Sequence, residues 1–330
     1  MKIIKSISLL LGVCAVAAPL VAWGQSVPTA TPLRTQLGQP GYIPEAGQAI
    51  SETGYSYATS SHENLGALGE ATGSVSGHSD SETETLLYGV TNHLSINLHA
   101  SYQQSSATTD RTTGVVAATN SVGFTDPTLG ATWRVIDQGA HPFSIDLSGT
   151  YAPNLIRAKS ATATQSGSAA LGGTETTLTA AATRLAGANI FYGSVSANYF
   201  SSRTNLIQSG PYDRVAADQW RYGATLGYDR ILTPKLDANL ALHLAPSYQT
   251  DQNNLGGSGS VYAVKSDAQT SLTAGVNAAL VPNRVALSFS YAHVFDYGSQ
   301  TEIWGAPAPS SATHHSVSDT LGVTLRFRLS

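Results

Sequence analysis

The segment Leu236–Leu244 alternates apolar and polar residues with almost no break. Successive side chains of a β-strand point to opposite faces, so a period of two predicts a strand with one apolar and one polar face. The apolar positions are Leu236, Ala238, Leu240, Leu242 and Leu244, and the positions between them are Asp237, Asn239, Ala241 and His243. Similar segments recur along the whole chain, which indicates an all-β fold.

Twelve segments follow this pattern. Nine alternate strongly: Leu94–Tyr102, Leu129–Val135, Phe143–Tyr151, Phe191–Tyr199, Trp220–Tyr228, Leu236–Leu244, Leu272–Leu280, Val285–Tyr291 and Leu321–Leu329. Three alternate more weakly: Ile50–Ala58, Thr83–Val90 and Leu178–Ala182. Short connections at 91–93, 137–142, 186–189, 229–235 and 282–284 alternate with long polar connections near 60–78, 104–121, 153–172, 201–214, 250–266 and 297–315.

This regular change of connection length is typical of bacterial outer-membrane barrels, which have short periplasmic turns and longer extracellular loops. Aromatic residues lie near both ends of the segments, for example Phe191 and Tyr228 at one end and Tyr199 and Trp220 at the other. We therefore predict a twelve-stranded antiparallel transmembrane β-barrel with its apolar face toward lipid. A soluble β-sandwich, with its apolar face turned inward, is the alternative.

The N-terminus predicts export. Lys2 and Lys5 precede an apolar run, Ile7–Val21, and the small residues Ala22 and Gly24 follow it. The run is shorter than the roughly 20 residues that a spanning helix needs, so it indicates a secretory signal peptide. We predict a signal peptide at 1–24, a segment at 25–48 and a barrel at 49–330, located in the outer membrane.

The composition excludes several classes of function. The one cysteine, Cys14, lies inside the predicted signal peptide, so disulfides and thiolate metal sites are not expected in the exported chain. The chain has 17 basic and 21 acidic residues and no basic stripe, so nucleic-acid binding is not expected. No metal and no cofactor is expected.

The segment 25–48 contains Pro28, Pro32, Pro40 and Pro44 and has no strand-like alternation. Two placements are compatible with this composition: a periplasmic N-terminal tail, or a short plug that enters the barrel. A plug would favour gated uptake of a solute over a permanently open pore.

Polar side chains should line the lumen if the apolar face points to lipid. The charged and amide residues at these positions are Glu52, Glu82, Glu84, Asn97, His99, Arg134, Asp146, Glu175, Arg221, Asp229, Asp237, Asn239, His243, Arg326 and Arg328. Six of them fall toward the periplasmic half: Arg134, Asp146, Asp229, Asp237, Arg326 and Arg328. This mixed-sign collar would either set the selectivity of a pore or fill a narrow interior with ion pairs.

Three segments resemble a known family. Leu87–Leu94 contains a Tyr-Gly-hydrophobic-Thr-polar-polar-Leu run, and Gly123–Arg134 contains Gly-x-x-Asp-x-x-Leu-Gly-x-x-aromatic-Arg, with Asp126 and Gly130 inside it. Together with Thr150–Pro153, these runs resemble the outer-membrane transporter-like barrels associated with the meta-cleavage pathway of phenol degradation. The resemblance implies a channel for small organic, hydrophobic or aromatic solutes. Asp126 is expected at a turn or rim that organises the strand entrance.

The chain departs from that family in two places. Ala100-Ser101 stands where the family often has a proline, and the chain ends on Ser330 instead of the terminal aromatic residue that is the commoner assembly signal. We still expect the C-terminal strand to engage the barrel-assembly machinery. The other expected partners are outer-membrane lipid and the transported solute.

An enzyme and an adhesive barrel are the alternatives to a channel. The run His93-Leu94-Ser95-Ile96-Asn97 is the nearest match to the His-x-Ser-Asn-Gly run of twelve-stranded outer-membrane phospholipases, but it lacks the glycine and begins in a predicted periplasmic turn. A nucleophile needs a base placed beside it, and no convincing pair is found. We therefore predict a non-enzymatic channel, with a lipid-active enzyme or a structural barrel acting through its long loops as alternatives.

Overall fold

The computed structural model describes residues 35–65, 70–112, 116–205, 213–255, 261–296, 298–303 and 311–329. The predicted signal peptide and Cys14 lie outside these residues. The described residues contain no helix that is long and apolar enough to cross a membrane. They form eighteen strand segments: β1 (Ala49–Leu65), β2 (Ala71–Thr91), β3 (Leu94–Arg111), β4 (Val116–Phe124), β5 (Thr128–Ile136), β6 (Ser144–Ala152), β7 (Glu175–Ala186), β8 (Asn189–Phe200), β9 (Arg203–Asn205), β10 (Asp213–Ala216), β11 (Gln219–Thr233), β12 (Leu236–Ala245), β13 (Tyr248–Leu255), β14 (Val261–Ser266), β15 (Gln269–Val281), β16 (Val285–Asp296), β17 (Ser299–Ile303) and β18 (Ser311–Arg328).

The segments make twelve antiparallel barrel strands. Six are continuous (β1, β2, β3, β6, β7 and β18), and six consist of two segments in succession (β4–β5, β8–β9, β10–β11, β12–β13, β14–β15 and β16–β17). The first and last strands pair from Ile50 opposite Arg328 to Leu65 opposite Ala312, which closes the sheet. Closure leaves no strand edge unpaired in the membrane, where water cannot satisfy it. The predicted twelve-stranded barrel is confirmed.

The outward face of the barrel is apolar. On β12, Leu240 and Leu244 are 49% and 43% exposed, whereas Asp237 and Ala241 are each 5% exposed. Such a distribution would be unfavourable in water, because large apolar side chains face the surroundings while charged ones are withdrawn. The structure therefore excludes the soluble sandwich, in which the apolar face would be buried.

Aromatic side chains form contacts at the two ends of this apolar face. Phe191 and Tyr228 lie 5.3 Å apart between ring centroids near the short turns, and Tyr199 and Trp220 lie 5.0 Å apart at the other end. Amphipathic rings at these heights match the two membrane interfaces. Their separation marks the part of each strand that lies in lipid.

In several stretches that the sequence pattern assigns to loops, the strands continue and pair as extended hairpins. The predicted loops near 60–78 and 104–121 include paired strand residues, such as Thr59 opposite His78 and Ser105 opposite Ser121. Both faces of these extensions carry mainly polar residues, as in Thr59-Ser60-Ser61-His62, so they lack apolar alternation. Pairing there depends on backbone hydrogen bonds and strand-favouring Thr residues, which a search for amphipathic periodicity does not detect.

Candidate functional site

The N-terminal segment, defined here as Thr35–Gln48, contacts side chains that face the lumen. Arg134 of β5 donates from Nη2 to the carbonyl oxygen of Gly41, and Asn277 of β15 donates to that of Gly38 at 2.8 Å. Gln39 donates from Nε2 to Oδ2 of Asp237, on β12, at 3.0 Å. β12 and β15 are neighbours, with Asp237 opposite Asn277, whereas four barrel strands separate β5 from β12. A segment that bonds to β5 on one side and to the β12–β15 pair on the other therefore crosses the interior.

An apolar contact fixes the start of this segment. Leu37 is 5% exposed and packs with Ile50 and Ala286 of the barrel, and Tyr42 and Leu87 cover this cluster. Burying a leucine side chain contributes about 1.5–3 kcal/mol. The segment is therefore held by packing as well as by hydrogen bonds.

Two glycines allow the segment to lie close to the wall. Gly41 adopts φ +74°, and a Cβ there would lie 3.0 Å from the side chain of Thr183. A Cβ at Gly89 of β2 would overlap the carbonyl oxygen of Glu45. Gly47 donates its backbone N–H to the carbonyl of Gly89 at 2.8 Å, which continues the β2 edge into the segment. Gly89 therefore permits the closest approach between barrel and segment.

The charge collar predicted from the sequence consists of Arg134, Asp146, Asp229, Asp237, Arg326 and Arg328, and in the structure Glu52 joins it as the partner of Arg326. Arg134 binds Asp146 through two bonds, Nε to Oδ1 at 2.8 Å and Nη2 to Oδ2 at 2.9 Å, and both residues are 7% exposed. Arg326 donates from Nε to Oε1 of Glu52 at 2.7 Å, in a less buried position. The collar is therefore a set of pairs at separate places on the wall, Arg134–Asp146, Arg326–Glu52 and Asp229–Asp237, and in two of them an arginine binds a carboxylate.

Arg328, which is also predicted as a collar residue, interacts electrostatically with Tyr42 of the N-terminal segment. Burial raises the pKa of the Tyr42 phenol, and the positive charge of Arg328 partly opposes that effect. Tyr42 also donates its hydroxyl to Oε1 of Gln48 at 3.2 Å. The phenol is therefore a neutral hydrogen-bond donor within the segment.

Two carboxylates of the collar lie side by side. Asp229 is opposite Asn239 while Asp237 is opposite Ile231, so the two acids are diagonal neighbours on β11 and β12. Asp229 is fully buried, and among the described residues neither of its oxygens nor Oδ1 of Asp237 has a hydrogen-bond partner. Buried like charges at such a position oppose folding.

We expect Asp229→Asn to raise the free energy of unfolding by about 1 kcal/mol at neutral pH, because an amide removes the repulsion and can donate to Asp237. Urea titration of the protein refolded in lipid vesicles would measure the change. Asp319→Asn, at an exposed position that already bonds His293 and Tyr291, serves as the control and should not stabilise the barrel. A less stable Asp229→Asn variant would contradict the expectation.

The remaining predicted lumen residues are distributed over the middle and outer parts of the barrel. Asn239 lies against Gly275, whose added Cβ would be 2.8 Å from its Oδ1, and His243 shares a 2.9 Å hydrogen bond with Thr225. Glu175 accepts a 2.6 Å bond from Asn198 at the outer end, where Arg221 also lies. These residues are inward-facing but are not part of the charge collar.

Glu82 and Glu84 were predicted in the lumen, and this prediction is wrong. Both side chains are exposed on the same face of β2 as Leu86, and Glu84 accepts a 2.7 Å bond from the outward Thr53. Glu84 and Leu86 are two positions apart, and residues i and i+2 of a β-strand lie on the same face. Because apolar and polar residues alternate only weakly in β2, the sequence does not show which of its faces is outward.

The motif residues Gly123, Asp126 and Gly130 have structural positions. Gly123 adopts φ +135° directly before the break between β4 and β5, where an L side chain would be strained. Asp126 accepts from the backbone N–H groups of Leu155 and Ile156 at 2.7 and 2.8 Å. Gly130 makes room for the amide of Asn97. Asp126 thus organises the connection that follows β6.

The residues of the enzymatic alternative do not form a hydrogen-bonded pair. Ser95 is 4% exposed, whereas His93 lies in an exposed turn 3.7 Å from Asp137. In the described part of the chain, no hydrogen bond joins His93 to Ser95. No group of three or more metal-binding side chains occurs among the described residues either.

The fold is similar to that of an outer-membrane channel from Pseudomonas putida F1, with a TM-score of 0.55 and 14% identity over 90% of this chain and 100% of that chain. The transport unit of the autotransporter AIDA-I from Escherichia coli gives a TM-score of 0.48 and 10% identity, covering 88% and 92% of the two chains. A mutant of the TodX monoaromatic hydrocarbon channel gives 0.46 and 9%, with the same coverage.

These similarities establish the fold and no more. The first comparison supports an outer-membrane barrel fold, and the other two are too low to support an argument. No protein-family profile matches the chain, and no curated protein matches its sequence. The resemblance to the phenol-degradation family therefore stays a prediction, while the outer-membrane β-barrel fold is confirmed.

Proposed function

We propose that the protein is an outer-membrane channel for small organic solutes, with the N-terminal segment acting as a plug at the periplasmic end of the lumen. The observation that carries the proposal is the set of hydrogen bonds that joins Gly41 to β5, and Gly38 and Gln39 to the neighbouring strands β15 and β12 on the other side of the barrel. Eight-stranded barrels are filled by side chains and sixteen-stranded ones are open, so twelve strands leave an interior that a short segment can occupy.

The middle of the lumen is suited to passage. Its inward positions include small or uncharged polar residues on neighbouring strands, such as Ser148 opposite Thr132 and Ser196 opposite Gly223. The charges that do face inward near the periplasm are largely paired or bonded to the segment. Such a wall offers polar contacts without a strong electrostatic field, which suits small organic solutes that are uncharged or carry a single charge.

The solute class is supported by the segments Leu87–Leu94 and Gly123–Arg134, which resemble a family of barrels associated with the degradation of phenolic compounds. The outward apolar face and its aromatic ends support a location in the outer membrane. For the enzymatic alternative, no described hydrogen bond joins Ser95 to a base, and for the adhesive one no feature of the described hairpins identifies a receptor. Transport is therefore the function that these contacts support best.

Uptake by vesicles tests the proposal. The refolded protein should increase the entry of small aromatic alcohols into lipid vesicles relative to vesicles that contain the heat-denatured chain. Correct refolding can be checked by the altered gel migration that closed barrels show before heating. A refolded barrel that conducts no ions and transports no solute, both with and without the N-terminal segment, would refute the channel.

A further inference from the structure

Two arginines and two aromatic rings meet inside the outer end of the barrel. Phe200, at the end of β8, is 8% exposed and lies 4.5 Å from the guanidinium of Arg221 and 5.4 Å from that of Arg203, measured to the ring centroid. The guanidinium of Arg221 also lies 4.3 Å from the ring of Tyr248. We call these four residues the arginine site.

Among the described residues, neither guanidinium group forms a direct ion pair with a carboxylate. When the amide of Gln219 is oriented so that its nitrogen donates to Thr250, its oxygen accepts from Nε and Nη2 of Arg221 at 3.0 and 2.6 Å. Nη1 of Arg203 is buried and has no hydrogen-bond partner among the described residues. A buried donor without a partner costs free energy, so a ligand that accepts from it gains more than it would at the surface.

The nearby carboxylate does not remove the positive charge. Glu175, opposite Phe200 on β7, accepts a bond from Asn198, and its negative charge interacts with that of Arg203. Two guanidinium groups and one carboxylate leave an excess of positive charge. This contrasts with the charge collar, where Arg134 and Arg326 each bind a carboxylate directly.

We propose that the arginine site binds the carboxylate of a monocyclic aromatic acid when the acid enters the barrel from outside. This inference rests on the proposed channel function. A planar guanidinium matches a carboxylate. The Arg221 guanidinium already lies over both rings, so the ring of a bound aromatic acid contacts the edges of Phe200 and Tyr248 in an edge-to-face arrangement. The site lies level with the outer aromatic pair of Tyr199 and Trp220, because Trp220 directly precedes Arg221. An incoming anion meets it before the polar middle of the lumen.

Binding and transport can be tested separately. The full-length protein, refolded in detergent micelles at about pH 7 where benzoate is ionised, is titrated calorimetrically with benzoate, acetate and benzyl alcohol, with protein-free micelles as the blank. Acetate lacks the ring and benzyl alcohol lacks the charge. We expect benzoate to bind about tenfold or more tightly than either, since it alone engages both the guanidinium groups and the rings.

Variants locate the binding. Arg203→Gln and Arg221→Gln should each weaken benzoate binding by about tenfold, the loss expected for one charge-assisted hydrogen bond. Arg157→Gln, which removes a charge from an exposed position in the connection after β6, is the matched control and should bind like the parent protein. Phe200→Leu should weaken benzoate more than acetate. Gel migration before heating verifies that each variant is folded.

Three results would overturn the inference: equal binding of benzoate and benzyl alcohol, equal binding of benzoate and acetate, or parental benzoate affinity in both arginine variants. None of these depends on transport. If vesicle uptake of aromatic alcohols succeeds while benzoate binding fails, the channel stands without the arginine site. If benzoate binds through the arginines but no solute or ion crosses the barrel, the site stands and the channel is refuted.

Discussion

Arg134→Met is expected to lower the free energy of unfolding by about 3–5 kcal/mol, the range found when one partner of a buried ion pair is removed. Arg134 and Asp146 are each 7% exposed and are joined by two bonds of 2.8 and 2.9 Å. The substitution leaves the carboxylate of Asp146 buried and unpaired, and the carbonyl of Gly41 loses its donor. Urea unfolding in lipid vesicles, followed by tryptophan fluorescence, measures the loss.

The double variant Arg134→Met/Asp146→Leu separates the penalty of an unpaired charge from the value of the pair. Apolar residues of similar size often replace a buried ion pair at little cost, so the double variant should recover most of the stability. Arg326→Met, whose partner Glu52 is partly exposed, should lose less than Arg134→Met because water can solvate the remaining carboxylate. A double variant as unstable as Arg134→Met would contradict this account.

The barrel could be predicted from sequence because its physical rule is local. In Leu236–Leu244, alternation alone assigns Leu240 to the lipid face and Asp237 to the lumen, as the structure shows. Weakly patterned segments escape the rule. The outward position of Glu84 follows from its spacing to Leu86, but that spacing becomes informative only when the register of β2 with its neighbours is known.

The candidate sites depend on contacts that a linear pattern does not contain. Arg203 falls in a predicted loop, and its position beside Phe200 results from the short segment β9 that pairs with β10. The prolines of the N-terminal segment predict an irregular chain, but they do not indicate that Gln39 reaches Asp237, 198 positions away. The spacing of the charged residues predicts a collar. Which charge pairs with which depends on the strand neighbours in the closed sheet, and the sequence alone does not give these.

Deletion of residues 35–46 is expected to raise the single-channel conductance of the refolded protein several-fold. The segment crosses the lumen between Arg134 on one side and Asp237 and Asn277 on the other, so its removal takes an obstruction out of the proposed path. Planar bilayer recording measures the conductance. The deletion also leaves Arg134 paired with Asp146, so the barrel should still refold and show the gel migration of a closed sheet.

A point substitution provides a sharper form of this test. Leu37 is buried against Ile50 and Ala286, and an aspartate there would be an unpaired charge in an apolar cluster. Leu37→Asp should therefore release the segment and raise conductance as the deletion does. Ala46→Asp adds the same charge to the same segment at an exposed position and should conduct like the parent protein. If the deletion and Leu37→Asp both conduct like the parent while remaining folded, the segment does not close the channel, and the lumen is constricted by the collar itself.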